Sequence, residues 1–464
     1  MSGNVVGNCK VDPWYLQKNL FESVISSPEL GIEAVTRSRL VCKAWKAFID
    51  KSDNYFWRRL LERDYGIELK SSKTIENAFE VYRQKFRICK NIRTGKYTYK
   101  VFENAESIMD KATMFHYCAF TKKASETISV SWNMRDNNYK IKVWELEQNK
   151  SKDFNYSNQE IDRVDSLYTD QLLVHLPLTH TIERLDTKTG HRTKVFEDTQ
   201  NAFLSLPSPD DVHLALTFSD AFKGSKQPFP IKIVNLIEGK LKILDGHLKP
   251  ITKIRFNLDG SQIISSSHDG TVKFWDVESG NLSKEFHHNG PVNSFDLKKD
   301  RLFTIISQKG LVTVWDINSG ERITNLQNDQ LFSATTIKAS RNGKRFFTSA
   351  SNTIIAGDLD SQILYISPPN EGFVRSLRLS PDEKCIISIH SPIKDLGSGV
   401  KFWDSKSLAC LHTIKCEDAC FSGSKDNLLL TVGVSSFRVS DFDENVYKPT
   451  LSKALSFFYR FLVA

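Results

Sequence analysis

The sequence predicts a mainly β fold built from repeated small sheets, with a short helical region in front of them. Two observations lead to this fold class. A run of alternating apolar residues that ends in Trp-Asp or a related pair and a polar turn recurs eight times, at intervals of 37 to 49 residues. Near the amino terminus, apolar residues instead follow the 3.6-residue period of an α-helix.

Each repeat is predicted to be a small antiparallel sheet. Alternation with a period of two residues indicates a strand, and the Ser-Gly or Thr-Gly that follows suits a tight turn. The clearest copies are residues 271–282 (TVKFWDVESGNL), 311–322 (LVTVWDINSGER) and 399–410 (GVKFWDSKSLAC). The first residues of the eight pairs are Trp144, Leu185, Val234, Trp275, Trp315, Gly357, Trp403 and Ser440.

These repeats resemble the WD-repeat β-propeller family, which carries Gly-His near the start of each repeat and Trp-Asp near its end. Residues 245–276 match that pattern best. The resemblance implies a hydrogen-bonded network of His247, a strand serine (Ser265 or, as the preferred choice, Ser267), Asp269 and Trp275. The next repeat keeps His288 and Trp315 but has Lys309 in place of the aspartate.

The propeller is expected to span residues 95–448. Eight Trp-Asp-like pairs favour eight blades, and seven remains an alternative. Residues 91–104 (NIRTGKYTYKVFEN) are predicted to supply the last outer strand and close the ring from the amino-terminal side. Residues 445–453 are the competing candidate, although Pro449 suits only an edge strand. Residues 449–464 are predicted to be a carboxy-terminal tail that packs on the ring.

Residues 12–66, which follow a tail of residues 1–11, are predicted to form a small helical domain. Leu40, Val41, Trp45 and Phe48 give it an apolar stripe. This segment resembles an F-box, with LVCKAW at residues 40–45 followed by YFWRRL at residues 55–60. The alternative is a helical cap that packs internally on the propeller. The resemblance implies that a Skp-type adaptor is bound by Pro13, Leu16, Leu20, Leu40, Val41, Cys42, Lys43, Trp45 and Trp57.

Residues 67–94 are predicted to link the two parts through a helix. The apolar residues Ile75, Phe79, Tyr82 and Phe86 recur at three- to four-residue spacing between residues 72 and 91. The helix could act as a rigid spacer between the adaptor and a substrate, or it could simply pack on the edge of the ring.

Composition and charge argue against several classes of protein. No apolar run is long enough for a membrane span, and the amino terminus lacks the pattern of a secretory signal. Residues 1–100 hold 19 Lys+Arg and 11 Asp+Glu, whereas the remaining 364 residues hold 44 of each, so the net charge of +8 comes from the amino-terminal part. Basic and acidic residues are interleaved there, which disfavours nucleic-acid binding. We expect a protein of the cytoplasm or nucleus.

Catalytic and cofactor motifs are absent from the sequence. It has no phosphate-binding glycine loop, no C-x-x-C pair and no H-E-x-x-H helix. Cys410, His412, Cys416 and Cys420 lie close together, but their spacing is not that of a zinc site. We therefore expect no enzymatic activity, metal or cofactor. A propeller enzyme would need a polar, pKa-perturbed cluster in the central channel.

The F-box and WD-repeat resemblances together imply a substrate-recognition subunit of a Skp-cullin-F-box ubiquitin ligase, linked to a cullin-RING ligase through its adaptor. The alternative is a WD-repeat scaffold outside any ligase. Substrate is expected at the face where the innermost strands begin. Relatives that bind phosphorylated degrons gather arginines there, whereas here Arg375 stands out. The candidate substrate-binding residues are His116, Thr252, Asn293, Thr335, Arg375 and Glu417.

Overall fold

The computed structural model describes residues 55–65, 78–95, 98–103, 113–122, 125–146, 148, 150–198, 202–218, 229–370, 372–393, 397–416, 418–421, 428–432 and 436–442. The chain divides into two compact units, Met1–Cys89 and Lys90–Ala464. The division falls inside the predicted linker helix, and each unit is described by itself.

The first unit contains helix α1 (Tyr55–Tyr65) and most of helix α2 (Ala78–Thr94). The rings of Tyr65 and Tyr82 meet edge to face with centroids 5.2 Å apart. The Tyr82 hydroxyl donates to the carboxylate of Asp64, which also accepts from Arg63 at 2.9 Å. Burial raises the pKa of Tyr82, and the neighbouring Asp64 raises it further. Neither α1 nor α2 is long and apolar enough to cross a membrane.

Helix α2 was predicted over residues 72–91, and the structure has it from Ala78 to Thr94. Residues 72–77, including Ile75, lie outside the described part of the chain. Tyr82 is buried and Phe86 is half-buried, as their spacing suggested.

The described residues of the second unit form eight four-stranded antiparallel sheets. Seven of them use four consecutive strands each, and we number them sheets 1 to 7 in chain order. Sheets 1 to 4 contain β2 (Thr113–Phe120), β3 (Glu126–Asn133), β4 (Asn138–Glu145), β5 (Lys150–Ser157); β6 (Arg163–Ser166), β7 (Gln171–Leu176), β8 (Thr181–Asp186), β9 (Arg192–Glu197); β10 (Ala202–Pro207), β11 (His213–Phe218), β12 (Ile231–Asn235), β13 (Leu241–Leu244); and β14 (Ile251–Phe256), β15 (Gln262–Ser267), β16 (Thr271–Asp276), β17 (Leu282–His287).

Sheets 5 to 7 continue the same pattern, and sheet 8 differs in drawing one strand from the amino-terminal side. One short 3₁₀ helix, Ser307–Lys309, lies between β19 and β20 of sheet 5, and another, Asp329–Leu331, lies in the connection from sheet 5 to sheet 6. The strands are β18 (Ser294–Lys298), β19 (Arg301–Ile306), β20 (Leu311–Asp316), β21 (Arg322–Gln327); β22 (Ala334–Ala339), β23 (Arg345–Ala350), β24 (Thr353–Asp358), β25 (Leu364–Ile366); β26 (Val374–Leu379), β27 (Cys385–Ile393), β28 (Gly397–Asp404), β29 (Cys410–Lys415); and β30 (Asp418–Phe421), β31 (Leu428–Val432), β32 (Ser436–Asp441) with β1 (Thr98–Glu103).

Successive sheets pack side by side until the eighth meets the first. The first strands of neighbouring sheets contact one another from β6 to β10, β14, β18, β22 and β26, and β30 contacts both sheet 7 and β2. Sheets 1 and 2 share an apolar cluster that includes Ile141, Tyr156, Val164 and Val174. Apolar faces that one sheet would expose are thus covered by its neighbours. The innermost strands of sheets 1 to 8 are β2, β6, β10, β14, β18, β22, β26 and β30.

The ring is closed by β1, as the sequence predicted. Strand β1 pairs antiparallel with β32 from Thr98↔Asp441 to Glu103↔Ser436. Just before it, Asn91 Nδ2 donates to the carbonyl oxygen of Phe442 at 2.8 Å. The competing candidate, residues 445–453, lies outside the described residues.

In five of the repeats, the aspartate of the Trp-Asp-like pair organises the turn that follows it. Asp276 Oδ1 accepts hydrogen bonds from the backbone N–H and hydroxyl of Ser279, both at 2.7 Å. Gly280 then adopts φ +76°, a conformation that glycine adopts without strain. The same aspartate-to-backbone bonds recur at Asp186, Asp316, Asp358 and Asp404.

Candidate protein-binding face

Most of the predicted substrate-binding residues lie where the innermost strands begin, and four of them occupy β-bulges. The pairing register slips around His116, Thr252, Thr335 and Arg375, which lie in β2, β14, β22 and β26. A bulged residue is left out of the hydrogen-bond ladder and re-aims its side chain. A fifth bulge lies at Phe203 in β10, which the sequence did not suggest. We call this end of the ring the rim face.

Two of the predicted residues use their polar groups inside the protein. Thr252 Oγ1 donates to the carbonyl oxygen of Val292 at 2.8 Å and so ties sheet 4 to sheet 5. Asn293 Oδ1 accepts from both the backbone N–H and the hydroxyl of Ser307, at 2.8 and 2.6 Å. These contacts give Thr252 and Asn293 structural roles at the rim face.

Of the other four predicted substrate-binding residues, two are exposed, and the side chains of the other two are not described by the structure. Thr335 and Arg375 are exposed on the neighbouring sheets 6 and 7. Thr335 Oγ1 lies 3.3 Å from Ser349 Oγ. For His116 only the backbone is described, and Glu417 lies outside the described residues.

Exposed apolar side chains at the rim face were missed in the sequence. Leu248, Phe332 and Phe373 precede β14, β22 and β26, and they are 76%, 44% and 66% exposed. Met134 and Leu178 lie in the turns between the second and third strands of sheets 1 and 2, which reach the same face. The signal for the first three was a large apolar residue one to three positions before an innermost strand. Apolar side chains gathered on one exposed face are typical of a protein-binding surface.

A buried hydrogen-bonded network supports the rim face in sheet 4. His247 Nδ1 lies 2.8 Å from Asp269 Oδ2, and His247 Nε2 lies 2.7 Å from Ser265 Oγ. Trp275 Nε1 donates to the same Ser265 hydroxyl at 2.9 Å. The backbone N–H of Leu248 donates to Asp269 Oδ2 at 3.0 Å, so the network fixes an exposed rim residue.

The structure corrects the choice of serine in this network. Ser265, not Ser267, bridges His247 and Trp275. Ser267 Oγ instead donates to the carbonyl oxygen of Lys249 at 2.8 Å and accepts from the backbone N–H of Asp269. Ser267 therefore shapes the turn that carries Asp269.

The electrostatics of the network fit a structural role. Burial alone would raise the pKa of Asp269, but hydrogen bonds from His247 and Thr271 hold it well below its usual range. The carboxylate therefore stays ionised beside the histidine. His247 is only 1% exposed, so this His-Asp pair cannot reach a substrate.

Sheet 5 shows what the network becomes without its aspartate. Trp315 Nε1 donates to His288 Nε2 at 3.0 Å, and His288 Nδ1 lies 3.3 Å from the carbonyl oxygen of Gly270. These partners suit a neutral imidazole that accepts at Nε2 and donates at Nδ1. Burial lowers the pKa of His288 to about 4.

The predicted adaptor-binding residues are almost all beyond the described part of the chain. Trp57 lies in helix α1, but its side chain is not described. The described residues contain no group of His, Cys, Asp and Glu that could hold a metal ion. The adaptor-binding residues outside the described ranges are Pro13, Leu16, Leu20, Leu40, Val41, Cys42, Lys43 and Trp45.

Comparison with known families matches residues 239–276 to the family described as WD domain, G-beta repeat. The chain carries a WD repeat. The match includes His247, Asp269 and Trp275, the residues of the network in sheet 4.

Three curated relatives are similar to part of the chain. The target of rapamycin complex subunit wat1 of Schizosaccharomyces pombe is 30% identical over 149 residues, which cover 32% of this chain and 45% of the relative. The target of rapamycin complex subunit LST8 of Saccharomyces cerevisiae is 28% identical, covering 26% and 39%. The COMPASS component SWD3 of the same yeast is 29% identical, covering 26% and 38%. The chain thus spans less than half the length of each.

A solved structure extends the likeness of fold to more of the chain. The crystal structure of the computationally designed Ika8 protein is similar with a TM-score of 0.52 at 18% identity. The likeness covers 71% of this chain and 96% of the designed one. At this identity it is a likeness of fold.

Proposed function

We propose that this WD-repeat protein is the substrate-recognition subunit of a Skp-cullin-F-box ubiquitin ligase and that it binds its substrate at the rim face. The observation that carries the substrate-binding half is the set of exposed apolar residues on that face. Phe332 and Phe373 stand beside the exposed Thr335 and Arg375 on neighbouring sheets. Aromatic and arginine side chains supply most of the binding energy in many protein interfaces.

The adaptor-binding half of the proposal rests on the F-box resemblance of residues 12–66. Within that range, residues 55–65 form helix α1, which carries Trp57. Leu60 and Leu61 of this helix are buried at 1% and 0% exposure, so one face of α1 is used in packing. A ligase subunit of this kind would act in the cytoplasm or nucleus and would carry no catalytic residues of its own.

Capture of a purified Skp-type adaptor by the full-length chain tests the proposal. We expect the wild-type protein to bind the adaptor and Val41→Asp to lose binding, because a charge in an apolar contact is left without a partner. Phe373→Ser at the rim face is the matched control, and it should keep adaptor binding unchanged. Absence of adaptor binding by the folded wild-type protein would overturn the ligase assignment.

The alternative is a WD-repeat scaffold outside any ligase. It is favoured by relatives that are named as subunits of other complexes, namely of the target of rapamycin complex and of COMPASS. The two proposals share the rim face and differ in the adaptor. A chain that binds protein partners through Phe332 and Phe373 but never the adaptor would be such a scaffold.

A further inference from the structure

The turn between the second and third strands of sheet 5 carries a charge opposite to that of its counterpart in sheet 4. The residue before the turn glycine is Asp269 in sheet 4 and Lys309 in sheet 5. The carboxylate of Asp269 joins its turn to the loop before β14, through His247 and the backbone N–H of Leu248. Because a lysine ammonium group cannot accept a hydrogen bond, Lys309 cannot make the corresponding contacts.

One of the two corresponding donors in sheet 5 has found another acceptor, and the other has none. The histidine of this loop is His288, and its Nδ1 lies 3.3 Å from the carbonyl oxygen of Gly270. The next residue, Asn289, is exposed and corresponds to Leu248 of sheet 4. Among the described residues, no group accepts a hydrogen bond from the backbone N–H of Asn289. Sheet 4 supplies this acceptor from its own turn, and the described part of sheet 5 does not.

Lys309 lies against the same loop, and its ammonium group has no partner within the described part of the chain. A Cβ atom on Gly290, the residue after Asn289, would lie 3.6 Å from Lys309 Cε, so the side chain reaches the loop. Lys309 is half-buried, and no described carboxylate, including the exposed Asp329 of the next connection, forms an ion pair with it. A half-buried charge is screened by salt less than an exposed one, so Lys309 keeps its attraction for an anion.

An exposed aromatic residue lies next to the turn that carries Lys309. A Cβ atom on Gly310, the residue after Lys309, would lie 3.6 Å from the backbone nitrogen of Phe332. The turn therefore packs against the connection that carries Phe332, which is 44% exposed. All of these residues belong to the rim face. We call Lys309, Asn289 and Phe332 the Lys309 site.

We propose that the Lys309 site binds an aspartate or glutamate side chain of a substrate peptide, and that a neighbouring large apolar residue of the peptide packs on Phe332. The inference rests on the substrate binding at the rim face proposed above and names the chemical class of that substrate. The carboxylate of the substrate takes the place that Asp269 fills in sheet 4. It accepts from the backbone N–H of Asn289 and pairs with the ammonium group of Lys309, and such charged hydrogen bonds are the stronger ones.

The charge of the Lys309 site favours a carboxylate over a phosphate group. A phosphate group on a side chain carries about two negative charges and three acceptor oxygens, which several donors or an arginine fork match best. The Lys309 site offers one ammonium group and one backbone N–H. These match the single charge and the two oxygens of a carboxylate.

Selection from a random peptide library displayed on phage, with the full-length protein immobilised, tests the proposal. We expect the wild type to enrich peptides that carry Asp or Glu at one position close to a large apolar residue. Lys309→Glu should lose this acidic preference and enrich Lys or Arg at that position, because the charge of the site is reversed. Its preference for the apolar residue should persist, since Phe332 is unchanged, and this persistence shows that the variant is folded.

Fluorescence polarisation with one enriched peptide measures the strength of the contact. Replacement of its acidic residue by the neutral amide should weaken binding to the wild type by about tenfold, since a charged hydrogen bond is lost. The same replacement should change binding to Lys309→Gln by less than about twofold, because the partner of the carboxylate is already absent. An increase of more than about tenfold in affinity with phosphoserine at that position would indicate a phosphate site and overturn the proposal.

The matched control is Lys249→Glu, which makes the same charge change at an exposed lysine on the rim face of sheet 4 and should keep the wild-type preference. Enriched peptides without an acidic preference, or with one that Lys309→Glu retains, would overturn this inference and leave substrate binding at the rim face intact. Failure to enrich any peptide, or enrichment that Phe332→Ser/Phe373→Ser leaves unchanged, would overturn substrate binding at the rim face as well.

Discussion

His247 and Asp269 form a buried pair, 2.8 Å apart, that ties the loop before β14 to the turn between β15 and β16. Asp269 also accepts hydrogen bonds from the backbone N–H groups of Leu248 and Thr271, at 3.0 and 2.8 Å. One carboxylate thus accepts hydrogen bonds from two separate segments of the rim face and holds them together. Its removal would leave several buried donors without an acceptor.

We expect Asp269→Ala to lower the free energy of unfolding by about 2 to 4 kcal/mol, because each buried donor left unpaired carries a desolvation cost. Urea denaturation followed by tryptophan fluorescence measures it. Lys309→Ala, at the equivalent position of sheet 5, should change stability by about 0.5 kcal/mol or less. Equal losses in the two variants would show that the network adds nothing beyond local packing.

Acid is expected to destabilise the second unit through His288. Its pKa is about 4 in the folded chain and about 6.5 when unfolded, so the unfolded state binds more protons between these values. Stability is therefore lost as the pH falls, by up to about 2 kcal/mol at pH 5. Burial likewise lowers the pKa of His390 to about 4, which adds to the loss.

The variant His288→Gln separates this contribution from the others. Its loss of unfolding free energy between pH 7 and pH 5 should be smaller than that of the wild type by about 2 kcal/mol. The pKa of His288 can also be read directly from the NMR shift of its imidazole ring. A folded protein in which His288 titrates near pH 6.5 would contradict the expectation.

The repeated sheets could be predicted because their signal is local. In the five turns that begin with an aspartate of this kind, the carboxylate accepts hydrogen bonds from N–H groups two or three residues further on, as Asp316 does from Asn318 and Ser319. Because these residues are so near to one another in the chain, they leave a pattern that can be recognised in the sequence. The closing strand was predictable for the same reason, since Thr94-Gly95 imitates that turn before β1.

The bridging serine and the roles of two rim residues could not be predicted. Ser265 and Ser267 are two apart on β15, so they share one face of the strand and look alike in the sequence. The hydroxyl of Thr252 donates a hydrogen bond to the carbonyl oxygen of Val292, which is 40 residues away in the chain and belongs to the next sheet. Such choices depend on neighbours that only the assembled ring brings together.

The packing of sheet 6 explains why Gly357 stands where sheets 4, 5 and 7 have a tryptophan. Gly357 takes the place of Trp275 of sheet 4, and Phe346 pairs with it across β23 and β24. A Cβ atom on Gly357 would lie 2.2 Å from Phe346 Cε1. In sheets 4 and 7 the residues opposite the tryptophan are the smaller Ile263 and Ile386. The phenylalanine ring thus fills the space that a tryptophan fills elsewhere.

We expect Gly357→Trp to destabilise the protein by more than about 2 kcal/mol, since two rings would compete for one space. The double variant Gly357→Trp/Phe346→Ile should regain most of that loss because it restores the pairing of sheet 4. A double-mutant cycle by urea denaturation should give a favourable coupling of at least about 1 kcal/mol. A coupling near zero would show that the two side chains do not share the space.

The rim face is expected to lose its protein partners when its aromatic residues are removed. Phe332→Ser/Phe373→Ser should reduce capture of specifically bound proteins by at least about tenfold, because large apolar side chains anchor interfaces. Both residues are exposed, so stability should change by about 0.5 kcal/mol or less. Quantitative mass spectrometry of proteins held by the immobilised chain measures the effect.

Leu258→Ser/Ile237→Ser is the matched control for that experiment. These residues are 93% and 76% exposed and lie in turns at the opposite end of sheets 4 and 3. The control removes similar exposed apolar area from the other face. It therefore distinguishes specific binding at the rim face from non-specific hydrophobic adsorption. If both double variants lose the same proteins to the same extent, the exposed apolar residues of the rim face do not form a dedicated site.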